Sequence, residues 1–140
     1  MNKKKNNKGF TLVELIVVMA IMAILIGALA PQVVKYVEKA RESKDIQVEQ
    51  TVYTAVNTAI TSSEATIEAF TATDLAGLND TYPDLVTEIK TLLAGDMQND
   101  GAILGKCSSK KGKDDAGLQI SFDGSKVTVQ IGTLKAVTND

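Results

Sequence analysis

The sequence predicts an α+β chain. One long N-terminal helix, apolar and protruding in its first half and amphipathic in its second, packs on a small antiparallel β-sheet. Three observations predict it. Residues 15–34 form an apolar run without a single charge. Val48, Val52, Ala55, Val56, Ala59 and Ile60 then recur at helical spacing, a stripe that needs covering. Near the C-terminus, two runs that alternate apolar and polar flank Asp123-Gly124-Ser125, which is a hairpin signal.

The chain opens on a basic leader, residues 1–9, carrying Lys3, Lys4, Lys5 and Lys8. Lysines before a spanning segment stay on the cytoplasmic side, so residues 35–140 are expected outside the membrane. The apolar half, residues 10–34, is long enough to cross a hydrocarbon core of roughly 30 Å at about 1.5 Å per residue. Glu14 breaks its pattern. A carboxylate at mid-bilayer costs on the order of 2.5–3.5 kcal/mol, so such an acid is expected to have a partner. A cut after Gly9 would remove the four leader lysines and make Phe10 a new N-terminus. Its amine would be a cation about one helical turn from Glu14, free to pair with that residue or with Glu14 of a neighbouring subunit. Pro31 removes a backbone donor and crowds the preceding turn, so a kink is expected there rather than an end.

Two plainer readings compete. Ala28-Leu29-Ala30 has the form of a secretory cleavage site, but the apolar region exceeds the usual length, Glu14 interrupts its start, and Pro31 would follow the cut. A simple membrane anchor leaves the joint occurrence of Gly9, Phe10, Glu14 and Pro31 unexplained. No cysteine lies near this segment to take a lipid.

The stretch Lys8-Gly9-Phe10-Thr11-Leu12-Val13-Glu14 resembles the class III signal of type IV pilins and pseudopilins. The resemblance covers about the first quarter of the chain. It implies a pilin-like fold, cleavage by a prepilin peptidase between Gly9 and Phe10, and N-methylation of Phe10. It implies that Glu14 pairs with the N-terminal amine of an adjacent subunit as a helical homo-oligomer assembles. Gly27 and Pro31 fall where the helix of that family bends or melts in the filament. An assembly ATPase and an inner-membrane platform protein are the implied partners. The product would be a surface filament; a secretion or DNA-uptake pseudopilus is the alternative, and a membrane-anchored binding domain that never polymerises is another.

After Pro31, residues 35–62 should continue the helix, giving a rod on the order of 80 Å. Lys35, Glu38, Lys39, Arg41, Glu42, Lys44 and Asp45 form a charged collar, read either as a contact between subunits or as a solvated face. Residues 63–101 are the connecting region. Residues 64–70 read as a short helix or a continuation, and residues 71–82 read as a loop. Pro83 suits a helix start, Leu85, Val86, Ile89, Leu92 and Leu93 form an apolar face, and Gly95 suits a stop. This region is a candidate subunit contact or simply a helix closing the core. Residues 102–140 are assigned to the sheet, with 102–107 as a short third strand beside the hairpin.

Composition narrows the function. Losing the leader moves the formal charge from −2 to −6, which argues against nucleic-acid binding. Aromatic residues make up 4% of the chain and tryptophan is absent, so a stacking platform is not expected. With no histidine there is no histidine-based triad or metal site. Asp96, Asn99 and Asp100, or Asp114 and Asp115, lack the spacing of a calcium loop and suit turns. Neither enzyme chemistry nor a cofactor is expected. Cys107 is the one cysteine and cannot form an internal disulfide, a departure from many Gram-negative pilins that favours a Gram-positive source. It is read as a small buried hydrophobe or an edge residue.

Overall fold

The computed structural model describes residues 9–64, 66–93 and 95–138. Residues 1–8 of the predicted leader lie outside the described residues. The chain divides into two compact units, one ending at Val37 and one beginning at Glu38.

Helix α1, Leu12–Ser62, belongs to both units. In the first unit every described residue is exposed. From Leu15 to Ala30 the side chains are Leu, Ile, Val, Met and Ala, with Gly27 among them, and the helix continues through Pro31 instead of ending there. Its best apolar window has a mean hydropathy of 2.8, which makes it long and apolar enough to cross a membrane.

In the second unit, α1 buries Val52, Ala55, Val56 and Ala59, as the spacing predicts. The hydroxyls of Ser43, Thr51, Thr54 and Ser62 donate to the carbonyl four residues back, so the outer face satisfies its own donors. After α1 come β1 (Phe70–Thr73), α2 (Leu75–Thr81), α3 (Pro83–Leu93), α4 (Asp100–Lys106), β2 (Leu118–Phe122), β3 (Val127–Ile131) and β4 (Val137–Thr138). The sheet runs β1-β2-β3-β4, antiparallel throughout.

The β2–β3 hairpin follows its sequence closely. Leu118 pairs with Ile131, Ile120 with Val129 and Phe122 with Val127. All six are buried, and together with Val52, Val56, Ile89 and Ile103 they belong to one core. The turn is held by Asp123, whose carboxylate accepts from the N–H groups of Ser125 (2.9 Å) and Lys126 (2.6 Å). Those bonds hold its carboxyl below the ordinary range. Gly124 supplies the positive φ of 93° that the turn requires.

Three expectations are corrected. Residues 102–107 are not a strand: Asp100–Lys106 is helix α4, capped by Asn99, whose side chain accepts from Ala102 N–H at 2.8 Å. Ile103 is buried beneath it, and the third and fourth strands are β1 and β4. Residues 71–82 are not a loop. They hold most of β1, then α2, whose cap Asp74 accepts from Gly77 N–H at 2.7 Å. Phe70 fixes β1 by packing on Phe122 and Tyr82, with ring centroids 6.2 and 6.3 Å apart. Among the described residues, 64–69 contain no helix. The predicted Pro83 start and Gly95 stop both hold, Gly95 having a φ of 65°.

Candidate functional site

The N-terminal site is built by the start of α1. Gly9, Phe10 and Thr11 precede the helix, and Phe10 is 85% exposed. Among the described residues, nothing lies within 4 Å of where a side chain on Gly9 would project, so their packing does not demand glycine there. The requirement would come from whatever reads the segment from outside.

Glu14 is the third helical residue and Thr11 the residue before the first. The Thr11 N–H and hydroxyl donate to Glu14 Oε2 at 2.8 and 2.7 Å, and Glu14 N–H donates back to Thr11 Oγ1 at 3.3 Å. This is a reciprocal capping box, which satisfies two donors that a helix N-terminus leaves open. The partner expected for Glu14 was an amine; in the uncut chain it is Thr11. The spacing Thr11-x-x-Glu14 carries that signal in the sequence, and the reading by charge alone passed over it. A carboxylate has about four acceptor positions, so Glu14 can hold Thr11 and still accept an amine. Gly27 and Pro31 lie farther along α1, among exposed apolar side chains.

A second constellation was not foreseen. Glu38, Glu42, Asp45 and Glu49 fall at i, i+4, i+7 and i+11 on one face of α1, and all four turn to the C-terminal part of the chain. Glu38 Oε1 accepts from Lys110 N–H at 2.6 Å, and Glu42 pairs with the Lys111 ammonium at 3.1 Å. Asp45 is fully buried and accepts from Ser108 N–H (2.9 Å), Ser109 N–H (2.8 Å) and the Ser109 hydroxyl. The same hydroxyl accepts from Gly112 N–H at 3.0 Å. Glu49 Oε1 accepts from Ile131 N–H in β3 at 3.0 Å, while its Oε2 is buried without a partner.

Glu38, Glu42 and Asp45 clasp the loop 108–113 to the helix, and Glu49 ties β3 to it. The loop in turn meets the sheet, where Thr133 N–H donates to Lys111 O at 3.0 Å. Gly132 sits so close that a side chain there would fall 2.0 Å from the same carbonyl. Burial pushes the Asp45 carboxyl up, but the Ser109 hydroxyl, the Ser108 and Ser109 N–H groups and the Lys44 charge outweigh it and hold it below its ordinary value. Burial dominates at Glu49 and pushes its carboxyl up to about 7, against the Ile131 bond. The predicted collar is thus partly spoken for within the chain. The Glu38–Arg41 pair does form, at 3.6 Å.

Cys107 is buried. Burial, then the charges of Asp45 and Glu49, push its thiol up to about 11. It should stay unlabelled by a thiol reagent at neutral pH and react only as fast as the domain opens, which a labelling time course checks. Immediate labelling would contradict its burial. The side chains of Asp96, Asn99 and Asp100 have duties other than calcium binding. Asp96 pairs with Lys106 at 2.9 Å, Asn99 caps α4, and Asp100 accepts from Leu75 N–H at 2.9 Å. Among the described residues, no group of three or more metal-ligating side chains is assembled.

Residues 4–30 match the family model of the prokaryotic N-terminal methylation motif. No curated protein and no solved structure matches the chain. The motif spans Gly9, Phe10, Thr11 and Glu14, the residues that form the open segment and the capping box. The chain carries the class III signal of type IV pilins and pseudopilins, followed by an α+β domain of pilin-like layout.

Proposed function

We propose that this chain is the precursor of a type IV pilin. It is cut by a prepilin peptidase after Gly9, N-methylated on Phe10, and held in the membrane by its apolar segment with the domain outside. An assembly ATPase and a membrane platform then draw the subunits into a surface filament of a Gram-positive cell. The single observation that carries the reading is the methylation motif placed on a helix half, ending at Val37, whose apolar side chains are all exposed. Such a surface needs lipid or copies of itself, and repeating one heterologous contact gives an open filament. Bending at Gly27 and Pro31 would let those helices fit the filament core.

Glu14 has a defined part in this proposal. Its carboxylate, preset by Thr11, receives the methylated amine of a neighbouring Phe10. A subunit in the wrong register leaves that charge buried and unpaired, which assembly rejects. Glu14→Ala should leave cleavage intact but lower incorporation at least tenfold. The check is mass spectrometry of the N-terminal peptide in sheared surface material and in membranes. Wild-type peptide starting at methylated Phe10 is expected in the sheared fraction, and variant peptide with the same start only in membranes. Wild-type peptide processed but confined to membranes would favour a pseudopilin, which bears the same motif. Peptide still carrying residues 1–9 beside an active prepilin peptidase would sink the reading.

A further inference from the structure

The clasp gathers cations as well as a loop. Of the ten lysines and arginines from residue 38 onward, six lie at Lys39, Arg41, Lys44, Lys110, Lys111 and Lys113. All six are exposed. Residues 38–45 and 108–115 also hold five acids, Glu38, Glu42, Asp45, Asp114 and Asp115, so the cluster carries a formal charge of +1. Arg41 pairs with Glu38 and Lys111 with Glu42, which leaves Lys39, Lys44, Lys110 and Lys113 as its cations outside an ion pair among the described residues. The other four cations from residue 38 onward stand against eleven acids, so the domain is strongly negative away from this cluster.

The cations form an arc. At about 100° per residue, Arg41 and Lys44 lie roughly 200° and 140° around the helix from Lys39. The loop bearing Lys110, Lys111 and Lys113 covers the face that carries Glu38, Glu42 and Asp45. From Lys39 to Lys44 the helix rises about 7.5 Å, close to the depth of one headgroup layer. Val37, the last residue of the apolar unit, is covalently joined to the first residue of this turn. The cations thus span roughly 220° of the circumference; one face of a neighbouring subunit would meet part of that arc, and a headgroup layer meets all of it.

We propose that this arc is a docking surface for the anionic headgroups of the membrane's outer leaflet, which holds the unassembled domain close against the bilayer. The proposal rests on the reading that residues 10–34 span the membrane. Each cation near an anionic surface is worth about fivefold in occupancy, and salt screens the effect. The acidic remainder of the domain is repelled by the same surface, so attraction and repulsion together orient it.

The test uses the full chain reconstituted in vesicles, with a fluorophore on the exposed position Ala116→Cys. Buried Cys107 does not compete for the label in the folded chain. Quenching by a headgroup nitroxide reports how near the loop lies to the lipid. It should be strong in vesicles one-third phosphatidylglycerol, weak in pure phosphatidylcholine, and lost in high salt. Lys110→Gln with Lys113→Gln should reduce docking about 25-fold, the product of two fivefold effects. Their side chains make no bond to the clasp, and unchanged circular dichroism checks the fold. A chain that resists carbonate extraction yet quenches equally in both lipids overturns the docking surface alone. A chain that carbonate extracts overturns the membrane reading beneath it. Crosslinking between copies in neutral vesicles, lost in the double variant, would assign the arc to a second subunit instead.

Discussion

Asp45→Ala is expected to cost about 3–5 kcal/mol of domain stability, the range for breaking a buried charged group's bonds. The residue is fully buried and receives three donors, the Ser108 and Ser109 N–H groups and the Ser109 hydroxyl. Alanine leaves the buried Ser109 N–H and the half-buried Ser108 N–H without their acceptor. It also frees the Ser109 hydroxyl that positions Gly112 N–H. The loop joins residues more than sixty positions apart in sequence, so no local structure can replace the tie. Asp45→Asn keeps one acceptor and should lose about half as much. Urea unfolding of the intact chain in detergent, followed by circular dichroism, measures both. A loss below about 1 kcal/mol for the alanine variant would reduce the clasp to surface decoration. Because the folded Asp45 carboxyl lies below its unfolded value, its contribution is present above the unfolded value and disappears as pH falls through the folded one.

Glu49→Gln should act in the opposite sense and in a different window. The folded carboxyl is pushed up to about 7, well above its value in the unfolded chain. The folded state therefore holds a proton that the unfolded state has lost. Stability is full below about pH 4.5 and declines as pH rises toward 7. Glutamine has the same shape, keeps an acceptor for Ile131 N–H and carries no charge to bury. The variant should lose the downward slope between those limits and gain on the order of 1–3 kcal/mol at pH 8, discounted for solvent relaxation. Parallel pH profiles of wild type and variant across this window would show that Glu49 does not titrate there.

What the sequence disclosed follows from where each signal resides. The hairpin was legible because period-two alternation and the Asp123-Gly124 turn agree, and both are local. Helix α3 was legible for the same reason, with Pro83 before its apolar face and Gly95 after it. Strand β1 was not legible. Phe70–Thr73 is only four residues long, and its pairing partner Phe122 lies some fifty residues away. Helix α4 was read as a strand because Ile103 and Leu104 are adjacent and apolar, a pattern that suits either period; Asn99 decided it by capping. The methylation motif over residues 4–30 could be read because it is written in side chains. The clasp could not. Its donors are mainly backbone N–H groups, which every residue type but proline possesses, so nothing in Ser108 or Lys110 announced which acids they would meet.

The clasp has a consequence for where and when this domain can mature. The tie between its last third and its helix consists of hydrogen bonds and one ion pair, and Cys107, its sole thiol, is sealed away from any partner. Closure therefore needs no oxidant, no isomerase and no shuffling of mispaired bridges. A reductant has nothing in it to cut. The domain can complete its fold as soon as the chain is in hand, on either side of the membrane, whatever the redox poise of the compartment.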